Sequence, residues 1–404
     1  MKENSSTEFG KTNTKNHEVN TARDFIYLTG CMLQEKTPDK QRLQKMNFEE
    51  VYRLSKKHML SSAIYMTLER SEALSLMTSE LADEWRMSSD AVIRQTILMN
   101  TERKAILSRF ETEGIWYMPL KGCIIADYYP DFGMREMSDN DILFDRQCKK
   151  KVRDIMLERG YRVIPFNGSD QDVYMKDPVY NFEMHKDLMN RHNYPEQYAY
   201  FADLSGRLIR NTDKQYEFRF SNEDFYIYFI VHAYKHYEYC GGTGLRTLVD
   251  LYLLNRRFEK DREYLDREFR KLQLSKFEGE MANLAETVFS DPEKIYHSSG
   301  HASLTYGEKQ MLEYILGSGV YGTKNNSIRK KLVRDGGRDD IRFKTRAIYI
   351  LHRLYPKGAW YVKEYPFFYR HVWAYVFFLP VYRILRRGNI KSLIREAKIA
   401  LKTR

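Results

Sequence analysis

The sequence switches its hydrophobic period twice, and these switches limit the folds open to it. From Thr21 to about Glu113 apolar residues recur at helical spacing: Phe25, Leu28 and Met32, then Val51, Leu54 and Ala63, then Trp85, Val92 and Met99. Gly114 ends that pattern. Short β-rich runs follow, reading IWYMPLKG, DILFD, GYRVIPF, DVYMKD and VYNFEMHKDL, with one pair separated by a helical stretch from Gln147 to Arg159. After Asp224 long helical patterns return in FYIYFIVHAYKHYEY. They break at Gly241-Gly242 and resume with Leu245, Leu248, Val249 and Tyr252 on one face.

This order predicts an α+β protein, a small mixed-sheet core flanked by N-terminal and C-terminal helical regions. At 404 residues the chain exceeds what one hydrophobic core usually serves. Five segments are expected: a disordered tail over 1–20, a helical leader over 21–113, an α/β core over 114–205, a helical domain over 206–328, and a basic, aromatic helical tail over 329–404.

Lys and Arg outnumber Asp and Glu by 66 to 55, a formal charge of +11 that favours polyanionic partners such as nucleotides, nucleic acid or acidic lipid. A solvated basic surface would give the same balance. The four cysteines, Cys31, Cys123, Cys148 and Cys240, form no CxxC pair and suggest neither a zinc ribbon nor a disulfide framework. The polar N-terminus lacks the apolar stretch of a signal peptide, so a cytoplasmic location is expected. The uncharged run from Val372 to Tyr382 falls far short of the ~20 residues that span a bilayer.

The chemistry centres on MSDNDILFD, where Asp139 and Asp141 stand two apart at the start of an apolar strand. Strand alternation puts both side chains on one face, and two carboxylates so placed repel unless a cation lies between them. Mg²⁺ is commonly held by such carboxylates together with substrate phosphates. Asp in turns also bonds its own backbone, so the pair alone carries little weight. Its setting is the stretch GIWYMPLKGCIIADYYPDFGMREMSDNDILFD: a strand, a Lys121-Gly122 turn, a short helix, a loop with Pro130, Gly133 and Arg135, then the acidic strand. Gly122 at a strand-to-helix turn lets backbone N–H groups approach phosphate oxygens, and Lys121 adds positive charge there.

On these residues the stretch resembles the DNA-polymerase-beta-like nucleotidyltransferase superfamily. Within it the stretch is similar to a bacterial family of uncharacterised nucleotidyltransferases, marked by Leu120-Lys121-Gly122, Tyr129-Pro130, then Arg135, Ser138, Asp139 and Asp141. The likeness extends over roughly residues 22 to 260, through KHMLSSAIYMTL, NFEMH, VHAYKHY and GLRTLVDLYLL. The turn here reads Lys121-Gly122-Cys123 where the superfamily has Gly-Gly or Gly-Ser.

The resemblance implies a nucleotidyltransferase core and transfer of a nucleotidyl group from a nucleoside triphosphate such as ATP to a hydroxyl of an acceptor. It implies Mg²⁺ or Mn²⁺ held by Asp139, Asp141 and Glu183, the last matching the superfamily's third acid. Lys121, Gly122, Arg135 and Ser138 would bind the nucleotide, with Lys121 and Arg135 as the cations. His185 could contact substrate or fill the sheet. His232 and His236 stand four apart on a helix without a third metal ligand in view, and Arg246 with Asp250 suits an intrahelical ion pair.

A different class stays open, a catalytically inactive module with the same fold that attaches to anionic membrane or nucleic acid through its C-terminal basic segment. From Arg383 onward eight basic residues face a single acid, Glu396, directly after an aromatic stretch that includes Trp360, Tyr361, Phe367, Phe368, Trp373, Phe377 and Phe378. Such a segment could rest on acidic headgroups or close the protein's own core.

Overall fold

The computed structural model describes residues 20–164, 170–291, 293, 304–336, 343–355, 362, 365–386 and 390–402. The tail expected over 1–20 lies outside these except for its last residue, as do Trp360 and Tyr361. The chain divides into two compact units, Met1–Ala233 with Gly244–Val320, and Tyr234–Thr243 with Tyr321–Arg404. The fold is α+β, a small mixed five-stranded sheet among helices.

In the first unit α1 (20–33), α2 (Lys40–Leu43), α3 (Phe48–Lys57) and α4 (Ser61–Arg70) precede the long α5 (Ser79–Thr112). The Asn47 side chain caps α3 by accepting from Glu50 N–H, and Thr78 does the same for α5 through Leu81 N–H. Gly114 ends α5 with φ +67°, while Ile115 N–H reaches back to Phe110 C=O at 3.0 Å. That six-to-one bond needs the left-handed conformation that glycine adopts without strain.

The sheet follows: β1 (Tyr117–Pro119), β2 (Asn140–Phe144), β3 (Arg162–Ile164), β4 (Gln171–Lys176) and β5 (Tyr180–His185), in spatial order β1-β2-β5-β4-β3. All pairings are antiparallel except β2 with β5, which is parallel. Between β1 and β2 lies the four-residue α6 (Gly122–Ile125), and between β2 and β3 lies α7 (Lys149–Glu158). Each run of alternating residues named from the sequence contributes one strand.

Strand alternation sorts the two faces of the sheet. Ile142 and Phe144 of β2, Phe182 and Met184 of β5 and Tyr174 of β4 form one core with Ile106 and Phe110 of α5 and Val152 and Met156 of α7. Asp141, Glu183 and His185 occupy the alternate positions and point away from that core. The rest of this unit comprises α8 (Pro195–Tyr200), the ribbon β6 (Ile209–Arg210) with β7 (Phe218–Arg219), most of α9 (Asn222–Tyr239), α10 (Leu245–Arg257), α11 (Arg262–Lys271), α12 (Ser275–Phe289) and α13 (Tyr306–Ser318). His58, fully buried, ties three of these segments: its Nδ1 accepts from Leu245 N–H at 2.9 Å and its Nε2 lies 3.2 Å from Leu316 C=O.

The second unit holds α14 (Lys324–Gly336), α15 (Phe343–Leu354), α16 (Pro366–Arg370), α17 (Val372–Phe377), α18 (Leu379–Arg386) and α19 (Ile390–Lys402). Ile328, Leu332, Tyr349 and Ala400 form a small core among α14, α15 and α19. The buried Glu396 of α19 accepts from Arg353 at 2.6 and 3.0 Å and pairs with Lys324 at 2.5 Å. No described helix is long and apolar enough to cross a membrane.

Candidate active site

The parallel register of β2 and β5 sets Asp141 directly beside Glu183. Neighbouring strands lie about 4.8 Å apart, so the two carboxylates project side by side. His185, two residues on, donates from Nε2 to Asp141 Oδ1 at 2.7 Å and lies 3.8 Å from Glu183 Oε2. The donor role follows because an ionised carboxylate only accepts. Glu183 Oε2 also accepts from Gln171 on β4 at 2.8 Å. Atoms of Asp141, Glu183 and His185 able to ligate a metal lie within 4.8 Å of one another, the His185 nitrogen only once it gives up its bond to Asp141.

Asp139 stands just ahead of the first residue of β2 and outside that trio. Its charge is nonetheless felt there. Burial and Asp141 raise the Asp139 carboxyl above its ordinary range, against Lys121, Arg246 and a hydrogen bond from Ser138. Glu183 is raised for the same reasons, by burial and by Asp141 and Asp139. Asp141 goes the other way. Burial would raise it, but Lys121 and the His185 hydrogen bond outweigh that and hold it far below the usual carboxylate range. Three acids in one place therefore divide into one firmly ionised and two that hold protons more readily.

Lys121 supplies the balancing charge, with Nζ 3.1 Å from Asp141 Oδ2 and a side chain only 15% exposed. Its backbone has φ +46° and ψ −110°, a strained setting for a non-glycine residue at the turn between β1 and α6. The buried Tyr228 of α9 lies close enough to Lys121 for the ammonium to favour its phenolate, though burial raises the phenol overall. Gly122 has a packing reason: a Cβ there would meet Arg135 Nη1 at 2.6 Å and Met137 Sδ at 2.9 Å.

Arg135 is committed elsewhere in the fold. Its guanidinium grips Asp250 of α10 bidentately, Nε to Oδ1 at 3.0 Å and Nη2 to Oδ2 at 2.8 Å, while Tyr129 donates to Oδ1 at 2.8 Å. All three side chains are buried. The ion pair expected within α10 between Arg246 and Asp250 is therefore replaced: Asp250 serves Arg135 and Tyr129, and Arg246 donates to Glu136 C=O at 2.6 Å. The Glu136 carboxylate in turn accepts from Ser62 N–H at 3.0 Å, at the start of α4, whose preceding residue Leu60 offers no capping side chain. Ser138 C=O accepts from Asn181 Nδ2 at 3.3 Å, which joins the approach to β2 to β5.

Asn140 escaped the sequence reading. Between the two acids but on the opposite face, it accepts from Arg103 of α5 at 2.8 Å and from the Cys123 thiol at 3.4 Å. A polar residue at an inward strand position was the available signal. His232 and His236 lie on α9 and join no metal-holding group among the described residues.

A family model described as an uncharacterised nucleotidyltransferase fits residues 44–290, the region that holds Lys121, the paired strands with their acids and the loop before β2. The chain belongs to that family. No curated protein and no solved structure matches the chain. The match takes in the sheet, Lys121, all three acids and the Arg135–Asp250 clamp, and it ends after α12.

Proposed function

We propose that the protein transfers a nucleotidyl group from a nucleoside triphosphate to a hydroxyl of an acceptor, with Mg²⁺ or Mn²⁺ held by Asp139, Asp141 and Glu183. The observation that carries this reading is the side-by-side placement of Asp141 and Glu183 across the parallel β2–β5 pair, with Asp139 ahead of them. The donor set suits a hard divalent cation, since carboxylate oxygens dominate, and Lys121 now holds the place beside Asp141 that such a cation would take. A bound divalent cation would neutralise phosphate charge and polarise the reacting oxygens.

The remaining work falls to the chain itself. Asp141 stays ionised and is oriented by the Nε2–H of His185, the kind of support that fixes a ligand's direction. Glu183, with its raised pKa, is the group suited to take the proton of the acceptor hydroxyl. Lys121, once Asp141 has another counter-charge, can turn its ammonium to phosphate oxygens. Ser138 holds Asp139 in place. Arg135 acts through Asp250 by fixing the loop before β2 against α10. We place the protein in the cytoplasm with its triphosphate substrate, in peripheral contact with anionic membrane.

Calorimetry with ATP tests the site. Asp141→Asn with Glu183→Gln should abolish Mg²⁺-dependent ATP binding in a protein whose circular dichroism is unchanged. Undiminished affinity in that folded variant would remove the assignment.

A further inference from the structure

The second unit buries little of its aromatic wealth. On α17, Val372, Trp373, Val376 and Phe377 all face outward, with Trp373 57% and Phe377 70% exposed. Spacings of four residues make Val372 with Val376 and Trp373 with Phe377 neighbours on the helix surface. Val381 and Leu385 extend the apolar surface along α18 at the same spacing. The exposed rings touch one another rather than a covering element: Trp373 lies 6.3 Å from Phe367 and 5.8 Å from Phe378, centroid to centroid. Inward positions are taken by Tyr365, Ala374 and Leu379.

In sequence, this surface lies within a stretch whose charge has one sign. From Pro366 to Arg395 the sequence carries six Lys or Arg and no Asp or Glu. The acid that follows, Glu396, is buried against Arg353 and Lys324. On α19, Arg395 and Lys398 face outward while Glu396 and Ala400 face inward. The terminal helix thus closes its own unit, and the outward apolar load sits in the preceding helices.

We propose that the outward face of α17 and α18, built on Val372, Trp373, Phe377, Phe378, Val381 and Leu385, docks on an anionic lipid bilayer, the side chains entering the headgroup region while the surrounding cations meet acidic headgroups. This deepens the peripheral contact given above and is independent of the acidic site. Val372, Val381 and Leu385, half of the residues named, have no stacking face for a base, whereas aliphatic and aromatic side chains alike suit acyl chains. Pairing two copies of the face would bring like charges together.

Co-sedimentation with vesicles tests it, using phosphatidylcholine alone and phosphatidylcholine mixed with phosphatidylglycerol. The intact protein should bind the acidic vesicles at low salt, release partly as salt rises, and show Trp373 quenched by brominated lipid. The triple variant Trp373→Ser, Phe377→Ser and Phe378→Ser changes outward side chains only. It should keep its melting temperature and ATP affinity while binding acidic vesicles at least about tenfold more weakly. No sedimentation with acidic vesicles at low salt would overturn the proposal, as would equal binding by the variant. So would capture of single-stranded RNA in preference to vesicles, or self-association abolished by the variant without any lipid binding.

Discussion

Lys121→Met is the substitution that interrogates the acidic site most directly. In the native protein the ammonium lies 3.1 Å from Asp141, the two side chains being 15% and 8% exposed. Removing one partner of a buried ion pair costs about 3–5 kcal/mol, because the other charge is left without compensation. Asp141 would still face Asp139 and Glu183 but would keep its hydrogen bond from His185, so the cost should stay within that range. Met retains length and apolar contact, so the effect reads charge more than volume. Denaturant unfolding in the presence of a chelator should show the loss. A divalent cation should then restore much of it: saturation to a hundredfold above Kd returns about 2.7 kcal/mol by mass action. The variant should gain more from Mn²⁺ than the native protein does, because no lysine competes for Asp141. Unchanged stability in chelator would show that the pair is unimportant, and an equal metal response in both proteins would refute the reasoning that Lys121 stands in for a cation.

Three further outcomes follow from the buried ionisable groups. Burial, with Lys57 nearby, pushes His58 down from 6.5 to about 4. The unfolded chain takes up that proton below pH 6.5 and the folded protein does not until near pH 4, so stability is full above pH 6.5 and about 3 kcal/mol is lost as pH falls to 4. Unfolding curves of His58→Gln should lack that slope. Asp250→Asn leaves Arg135 buried without its carboxylate and should cost about 3–5 kcal/mol in denaturant unfolding, and adding Arg135→Met should recover part of it. Because the Asp139 and Glu183 pKa values are raised, Mn²⁺ affinity should climb with pH through their titration and then level off. Calorimetry in buffers of different ionisation enthalpy should detect proton release on binding at a pH where a free carboxylate is already ionised, and none would contradict the raised direction.

The sequence made the sheet legible because each of its five runs alternates over a short span between turn residues, a local property that survives without tertiary information. Gly114 was readable for the same reason. The pairing of Asp139 and Asp141 was also local. What a single sequence does not display is register, and the position of Glu183 beside Asp141 is a register fact. His185 had an ambiguous reading until β5 placed it against Asp141 across 44 residues. The partner of Arg135 lies 115 residues away and left no local signal, while Arg246, one helical turn from Asp250, looked like the partner of that acid. The aromatic helices were opaque because apolar residues occur all around them, and such a pattern does not say which side is covered.

The two-residue alternation of β5 has a consequence for which changes the protein can accept. Slipping that strand by one position would turn Glu183 and His185 into the α5–α7 core and bring Phe182 and Met184 out beside Asp141. The penalty for such a slip would come chiefly from oil, since charged groups would displace Phe182 and Met184 from a packed interior. The acids are thus kept aligned by side chains on the opposite face of the sheet. A lineage built this way can lengthen or shorten the connection around α7 and keep Asp141, Glu183 and His185 together, whereas one residue gained or lost inside β5 would separate them.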